Sequence, residues 1–295
     1  MAQEQNNSFV LIDGSSYLFR AYHALPPLTS KQGEPTGAIL GVMNMLKKLN
    51  QEHDTKNVAV VFDTKGKNFR HALFPDYKAN RTVMPDDLAV QIQPLQDMIR
   101  AMGFPVLAFE GLEADDVIAT LAKQAIAQGR HVIISTGDKD FAQLVDGHLT
   151  LVNTMTDTIL DREGVLEKFG VYPERIIDYL TLVGDTVDNI PGVPKVGPKT
   201  AVKWLQTYGT LDNLIAHADE ITGKVGEYLR ETLPKLPCYK QLVTIKDDLQ
   251  LPIEYVSLVH RTPNIAELQA FCQRFDFRSW ITELSIPQEK VHYET

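Results

Sequence analysis

The chain has little cysteine and no long apolar run. Only two of its 295 residues are cysteines, Cys238 and Cys272, too far apart for a metal-ligand or redox motif. That argues against a disulfide framework or a thiolate zinc site and for free thiols in a reducing compartment. The opening "MAQEQNN" is polar and leads into a short apolar stretch, unlike a signal peptide. No apolar stretch reaches the roughly 20 residues that cross a bilayer, so a cytoplasmic setting is expected. An excess of positive charge is missing too. The net charge is −9, which does not suit a protein that meets nucleic acid with a uniformly basic face.

What is present is the make-up of a globular protein with ample core, 44% hydrophobic and 23% charged. Its cations are unevenly placed. "TKGKNFRHALFPDYKANR" (64–81) holds Lys65, Lys67, Arg70, Lys78 and Arg81 against Asp76 alone. From Asn189 to Leu211 there are Lys195, Lys199 and Lys203 and no acid. An acidic total with basic stripes suits a protein that binds a polyanion in one place and cations in another.

Short β-rich runs without strict alternation, "FVLID" (9–13), "VAVVF" (58–62), "PVLAF" (105–109) and "HVIIS" (131–135), read as buried parallel strands. Helical patterns lie between them at Ala38–Leu49, Leu88–Met102 and Asp115–Ala127. Alternation of this kind gives an α/β fold with a mostly parallel, twisted sheet flanked by helices. Beyond about Asp161 helices take over, at Arg175–Val183, Lys199–Thr207, Lys224–Leu233 and Ala266–Phe275. The expected division is a catalytic α/β domain over 1–175 and a helical region over 176–295. The closing "PQEKVHYET" stops without a turn or cap, as expected of one piece of a longer protein.

The acids follow the strands. Asp13 and Asp63 end the first two. Glu113, Asp115 and Asp116 follow the third, in "GLEADDVIATLA", and Asp138 and Asp140 follow the fourth, in "STGDKD". "GDTVDN" adds Asp185 and Asp188. Ligands of open α/β sheets bind beyond the carboxyl ends of the strands. With these nine acids set aside, the remaining 29 of 38 equal the 29 Lys and Arg, so the whole negative excess fits one pocket. Any single pair could be a turn former or favour a helix N-terminus, but turn chemistry does not account for an acid at every strand end. All-oxygen clusters select Mg²⁺ or Mn²⁺ over zinc. Two such ions could clamp the attacking and leaving oxygens of a phosphoryl displacement.

A second constellation is "NIPGVPKVGPKTAVKWL" (189–205). Gly192 and Gly197 permit close backbone approach, and a helix starting near Pro198 presents free N–H groups beside Lys195 and Lys199. That is a phosphate site indifferent to base sequence. An ordinary helix–turn–helix corner with solvated lysines is the simpler alternative.

The blocks "LIDGSSYLFRAYHALPPL", "AVVFDTKGKNFRHALFPDYKANR", "EADDVIATLA", "ISTGDKDFAQLV" and "GDTVDNIPGVPKVGPKTA" occur in that order. Together they resemble the 5′-nuclease (5′-3′ exonuclease) domains of bacterial DNA polymerases I, within the flap endonuclease family. The resemblance covers Phe9 to about Leu284. It implies a PIN-like or resolvase-like nuclease fold with a helical arch over about 65–87 and a helix–hairpin–helix motif over about 182–207. It also implies that Asp13, Asp63, Glu113, Asp115, Asp116 and Asp138 serve mainly a catalytic Mg²⁺, with Asp140, Asp185 and Asp188 serving a second. Lys78 and Arg81 would act on the scissile phosphate, Tyr77 would stack on a base, and Gly192, Lys195, Gly197 and Lys199 would grip duplex DNA. A K⁺ ion would rest on the main-chain carbonyls of Leu182, Val183, Pro191, Val193 and Val196. The implied partners are 5′-flap, nicked or gapped DNA and RNA primer–DNA hybrids, bound by a monomer fused to a polymerase in longer members. A haloacid-dehalogenase-type phosphatase would need a second Asp where Ser15 stands. A non-catalytic DNA-junction binder would need the hairpin and the basic stripe, but not nine converging acids.

Overall fold

The computed structural model describes residues 8–53 and 56–285; "VHYET" lies outside them. Six strands form one sheet: β1 (Ser8–Asp13), β2 (Asn57–Val61), β3 (Val106–Leu107), β4 (His131–Ser135), β5 (Leu149–Asn153) and β6 (Thr158–Leu160). Their order is β3-β2-β1-β4-β5-β6, and every pairing is parallel except β5 with β6. The chain therefore steps outward from β1 first to one side and then to the other. The turning point, between β1 and β4, is where such sheets leave a crevice for a ligand.

The four strands read from sequence are all present, and β5 and β6 extend the sheet beyond them. "LTLVN" mixes Thr with apolar residues. β6 is a three-residue edge with Ile159 64% exposed, so neither carries the continuous apolar signature of a buried strand. The foreseen helices fall at Gly37–Glu52, Asp86–Ala101, Ala114–Ala127, Ile176–Val183, Pro198–Tyr208, Gly223–Thr232 and Ile265–Arg274.

Side chains alternate along the strands, and this sorts the core into two layers. Phe9, Leu11, Ala59, Val61, Val132 and Ile134 point to one face. There they meet helix Ala114–Ala127 and most of the helical region, through Leu180, Trp204 and Leu242. Val10, Ile12, Val58, Val60 and Ile133 point to the other, against Tyr17, Met43, Leu95 and Met98. Helices Ile265–Arg274 and Arg278–Leu284 do not stay with the rest of the C-terminal region. Leu268, Cys272 and Trp280 return to this second face, so the C-terminal part wraps the sheet from both sides.

Candidate active site

The strand-end acids lie around one cavity of about 460 Å³ at the carboxyl edge of the sheet, walled by Asp13, Asp63, Asp115, Asp138, Asp140, Asp185 and Asp188. Several are set by hydrogen bonds, some within a turn and some across the sheet. Asp13 caps helix Gly14–Ala24, its Oδ1 accepting the Ser16 N–H at 2.8 Å, while Oδ2 accepts from Thr136 Oγ1 at 2.8 Å. Asp63 accepts the Ala114 N–H at 2.9 Å and so ties β2 to the helix that carries Asp115. Asp138 Oδ1 accepts the Asp140 N–H at 2.9 Å, and Asp185 Oδ1 accepts the Val187 N–H at 2.7 Å.

Crowding shows in the titration of these groups. Burial, with the charges of Asp63 and Asp138 added, pushes the Asp13 carboxyl up to about 7. Burial, then the negative charges of Asp138, Asp13, Asp63 and Glu113, lifts Asp115 well above the ordinary carboxylate range. Asp140 is raised by burial and by Asp138, and its Oδ1 is buried with no hydrogen-bond partner among the described residues. A buried, unpartnered carboxylate oxygen in an all-oxygen pocket fits a hard divalent cation. Among the described residues no three His, Cys, Asp or Glu side chains close into a ready-made cage. A wide ring of carboxylates instead suits ions that keep part of their water, as Mg²⁺ does.

Glu113 and Asp116 have a different place. Arg70, 3% exposed, reaches Glu113 Oε2 at 2.6 Å and both oxygens of Asp116 at 2.7 and 2.8 Å. The Lys246 N–H adds a further bond to Asp116. Asp116, expected among the metal-binding acids, is thus turned from the cavity into a buried ion pair, because helix Ala114–Ala127 points consecutive side chains in different directions. Glu113 Oε1 takes Lys78 Nζ at 2.6 Å. Burial raises the Glu113 carboxyl, but Lys78 and Arg70 outweigh it and hold the pKa below its ordinary value.

The basic segment departs from a helical arch. Helix Phe69–Leu73 is followed by turns over 75–80, and Lys78 has a φ of 56°. That conformation costs a non-glycine residue about 1–3 kcal/mol and concentrates at functional sites. Lys78 and Arg81 still share one side, through a turn rather than a helix face: Arg81 pairs with Asp188 at 2.6 Å, and Lys78 lies 3.8 Å from the same carboxylate. Tyr77, expected to stack on a base, is 3% exposed. Its ring packs edge-on against His71 and its hydroxyl donates to Asp188 at 2.8 Å, so it is packed inside the protein and offers no stacking surface.

The hairpin joins helix Ile176–Val183 to helix Pro198–Tyr208. Gly184 and Gly192 have φ of 76° and 64°, and a Cβ on either would come within 2.4–2.5 Å of backbone. Only glycine fits where the two segments cross. The Val193 N–H donates to Leu182 O and the Val196 N–H to Val193 O. Lys195 (φ 64°) and Lys199 stand exposed beside the helix start.

Residues 8–170 match the family model for the 5′-3′ exonuclease N-terminal resolvase-like domain, and 171–266 match that for its C-terminal SAM fold. The chain belongs to the 5′-3′ exonuclease family. It is 53% identical over 283 residues to DNA polymerase I of Pseudomonas aeruginosa, covering 93% of this chain but 31% of that protein. It is 37% identical to a 5′-3′ exonuclease of Buchnera aphidicola subsp. Baizongia pistaciae, covering 94% of each. A 5′-3′ exonuclease of Aquifex aeolicus is 38% identical over 93% of this chain and 94% of its own. In fold, T5 5′-exonuclease with zinc bound superposes with a TM-score of 0.68 at 22% identity, over 94% of this chain and 98% of that one. The catalytic core of Rad2 in complex with DNA substrate gives 0.62 at 17%, over 97% and 93%.

Among the residues that this exonuclease-family chain places at the cavity but that were not singled out from sequence are Arg20, Phe19 and Lys139, the last paired with Asp185 at 2.7 Å. Arg20 lines the cavity with Nη1 buried and unpartnered among the described residues, and Phe19, 39% exposed, stands at its rim. Arg20 and Phe19 lie on the helix capped by Asp13, about two turns beyond the cap. Treating "GSSYLFRAYHA" as a helix capped by Asp13 would have placed them there.

A carboxyl whose pKa is raised by folding holds its proton more tightly in the folded state. Its cost to stability is absent below the unfolded value near 4 and grows as pH rises through the folded value. In EDTA, Asp115→Asn should therefore melt above the wild type at about pH 8, by several degrees at roughly 2–4 °C per kcal/mol, with the gap closing towards pH 4. Added Mg²⁺ or Mn²⁺ should raise the wild-type melting temperature more than that of the variant. Equal melting at both pH values would mean that Asp115 is not crowded.

Proposed function

We propose that the chain is a structure-specific 5′ nuclease, hydrolysing phosphodiester bonds near single-strand/duplex junctions of DNA. It would act as a 5′-3′ exonuclease and 5′-flap endonuclease that removes RNA primers and displaced strands in bacterial replication and repair. The observation that carries this reading is the single cavity in which seven carboxylates face Lys78, Arg81 and Arg20. Anions there can hold divalent cations while the basic groups meet a phosphate. Relatives of about this length that are themselves 5′-3′ exonucleases support a nuclease working without a polymerase. The 31% coverage of the Pseudomonas polymerase supports one joined to it in longer chains.

Two Mg²⁺ ions, replaceable by Mn²⁺, would be held by Asp13, Asp63, Asp115 and Asp138 and by Asp140, Asp185 and Asp188. When bound they would supply Lewis-acid activation of water and charge stabilisation at the leaving oxygen. The chain's own groups do the rest. Glu113 fixes Lys78, and Asp188 fixes Arg81, so positive charge is aimed at the phosphate before it arrives. Arg20 Nη1 offers a donor not spent on the protein. Phe19 gives a base an apolar face at the rim. Lys195 and Lys199, with the start of helix Pro198–Tyr208, would hold duplex phosphates, and K⁺ would bind the hairpin carbonyls.

The decisive experiment is incubation with a labelled 5′-flap duplex. Cleavage near the junction is expected with Mg²⁺ and none with EDTA. Asp115→Asn should lose at least 10–100-fold in rate while still binding the duplex; cutting by the wild type in EDTA would overturn the metal reading.

Lys78→Ala should slow single-turnover cleavage by about 10²–10³, the scale of removing one preorganised electrostatic group, with less than a tenfold change in affinity. A normal rate at saturation with a large loss of affinity would make Lys78 a steering group only. Lys199→Ala should weaken binding alike on different DNA sequences and lower the slope of log K against log salt by roughly one unit. An unchanged slope would remove it from the interface.

A further inference from the structure

The base of the basic segment is joined to the 185–190 loop of the hairpin by bonds that use main-chain groups and side-chain amides but no charged side chain. Asn80 Nδ2 donates to the Thr186 carbonyl at 2.6 Å. Asn189 Nδ2 donates back to the Asp76 carbonyl at 2.7 Å. Between them the Lys78 N–H donates to the Asp188 carbonyl at 3.0 Å. Two chain segments more than a hundred residues apart are therefore stitched by two reciprocal side-chain amides around one main-chain bond.

Both segments are bent to make this seam. Lys78 has a φ of 56° and Asn189 of 59°. Asparagine tolerates that region, but lysine gains nothing local from it. The conformation at Lys78 survives because its surroundings impose it. On the hairpin side the seam is firmly backed. Asp185 and Ile190 exchange N–H···O bonds at 2.8 and 2.7 Å, closing the 185–190 loop, and the Val193 N–H ties the loop to Leu182. Through these bonds and the short chain links between them, the segment leading into helix Pro198–Tyr208, where Lys199 stands, is tied to the backbone of Lys78.

We propose that Asn80 and Asn189 are positioning residues: a latch that fixes Lys78 and Arg81 to the duplex-facing hairpin. Seating of the duplex and placement of these cations over the acid cavity then become one event. This rests on the nuclease reading above. The latch predicts losses in rate without losses in grip, because its amides touch neither cations nor acids.

The test compares wild type, Asn80→Ala and Asn189→Gly, the glycine keeping the φ of 59° accessible while removing the amide. Single-turnover cleavage of a 5′-flap duplex in Mg²⁺ at saturating enzyme is set beside equilibrium binding of the same duplex in EDTA. Each variant should cleave about 10–100-fold more slowly, the scale of a small displacement of a catalytic group, with affinity within about threefold of wild type. In a Lys78→Ala background the same substitutions should cost a clearly smaller factor, because the group they place is gone. Rates within about threefold of wild type, losses of affinity that match the losses of rate, or undiminished losses in the Lys78→Ala background would each overturn the latch. A wild type that leaves the flap uncut would instead overturn the nuclease reading itself.

Discussion

Repulsion among carboxylates at one edge of a sheet is the constraint on which the rest of this structure depends. Seven of them face a cavity of about 460 Å³. At an effective dielectric of about 20, two unit charges some 5 Å apart repel by roughly 3 kcal/mol. A chain cannot gather such a group by apolar packing alone. It holds them with backbone N–H donors, at Asp13, Asp63, Asp138 and Asp185, and with ion pairs from Lys139 to Asp185 and from Arg81 to Asp188, while burial and mutual repulsion raise the Asp13, Asp115 and Asp140 carboxyls. The favourable counterpart is a cation, and an all-oxygen pocket suits hard ones.

Behind the cavity the balance is struck differently. Arg70 sits 3% exposed with Glu113 and Asp116, and its Nε and Nη2 also reach the carbonyls of Leu242 and Thr244. A buried pair of this kind adds little net stability, but removing one partner costs about 3–5 kcal/mol. Its value lies in geometry. One guanidinium joins helix Phe69–Leu73, the start of helix Ala114–Ala127 and the end of helix Leu236–Val243, three elements that no sheet bond connects. Glu113 is thereby fixed, and it in turn fixes Lys78. Positive charge facing the cavity is thus placed through a relay of buried carboxylates.

Much of this was legible in the sequence, for identifiable reasons. Buried parallel strands announce themselves as unbroken apolar runs, so β1, β2, β3 and β4 and the acids at their ends could be located, and with them the site. What stayed hidden depends on direction within an element or on partners distant in sequence. Asp115 and Asp116 are adjacent and chemically alike. Only the rotation of helix Ala114–Ala127 sends one to the cavity and the other to Arg70. Tyr77 reads as an aromatic in a basic, polar stretch, and nothing local says that Glu113 and Asp188 will take its hydroxyl inside. The left-handed turn at Lys78 is likewise set by Asp188, not by its neighbours.

The competing explanations for the acids also prove not to be alternatives. Asp13 does cap a helix, and Asp138 and Asp185 do form turns, as local propensity alone would have it. Each of those bonds is made by Oδ1. The capping bond fixes the carboxylate's rotation, and the second oxygen is then directed by the strand end on which the residue stands. At Asp13 that second oxygen meets Thr136 across the β1–β4 turning point. Turn and cap chemistry is therefore the means by which the sheet orients its carboxylates. A substitution that kept the charge but lost the short reach, such as aspartate to glutamate, would disturb both at once, because an added methylene moves the capping oxygen off the N–H it satisfies. The acids that cap or turn are all aspartates, and Glu113, which caps nothing with its side chain, is the exception that turns to Arg70 and Lys78 instead.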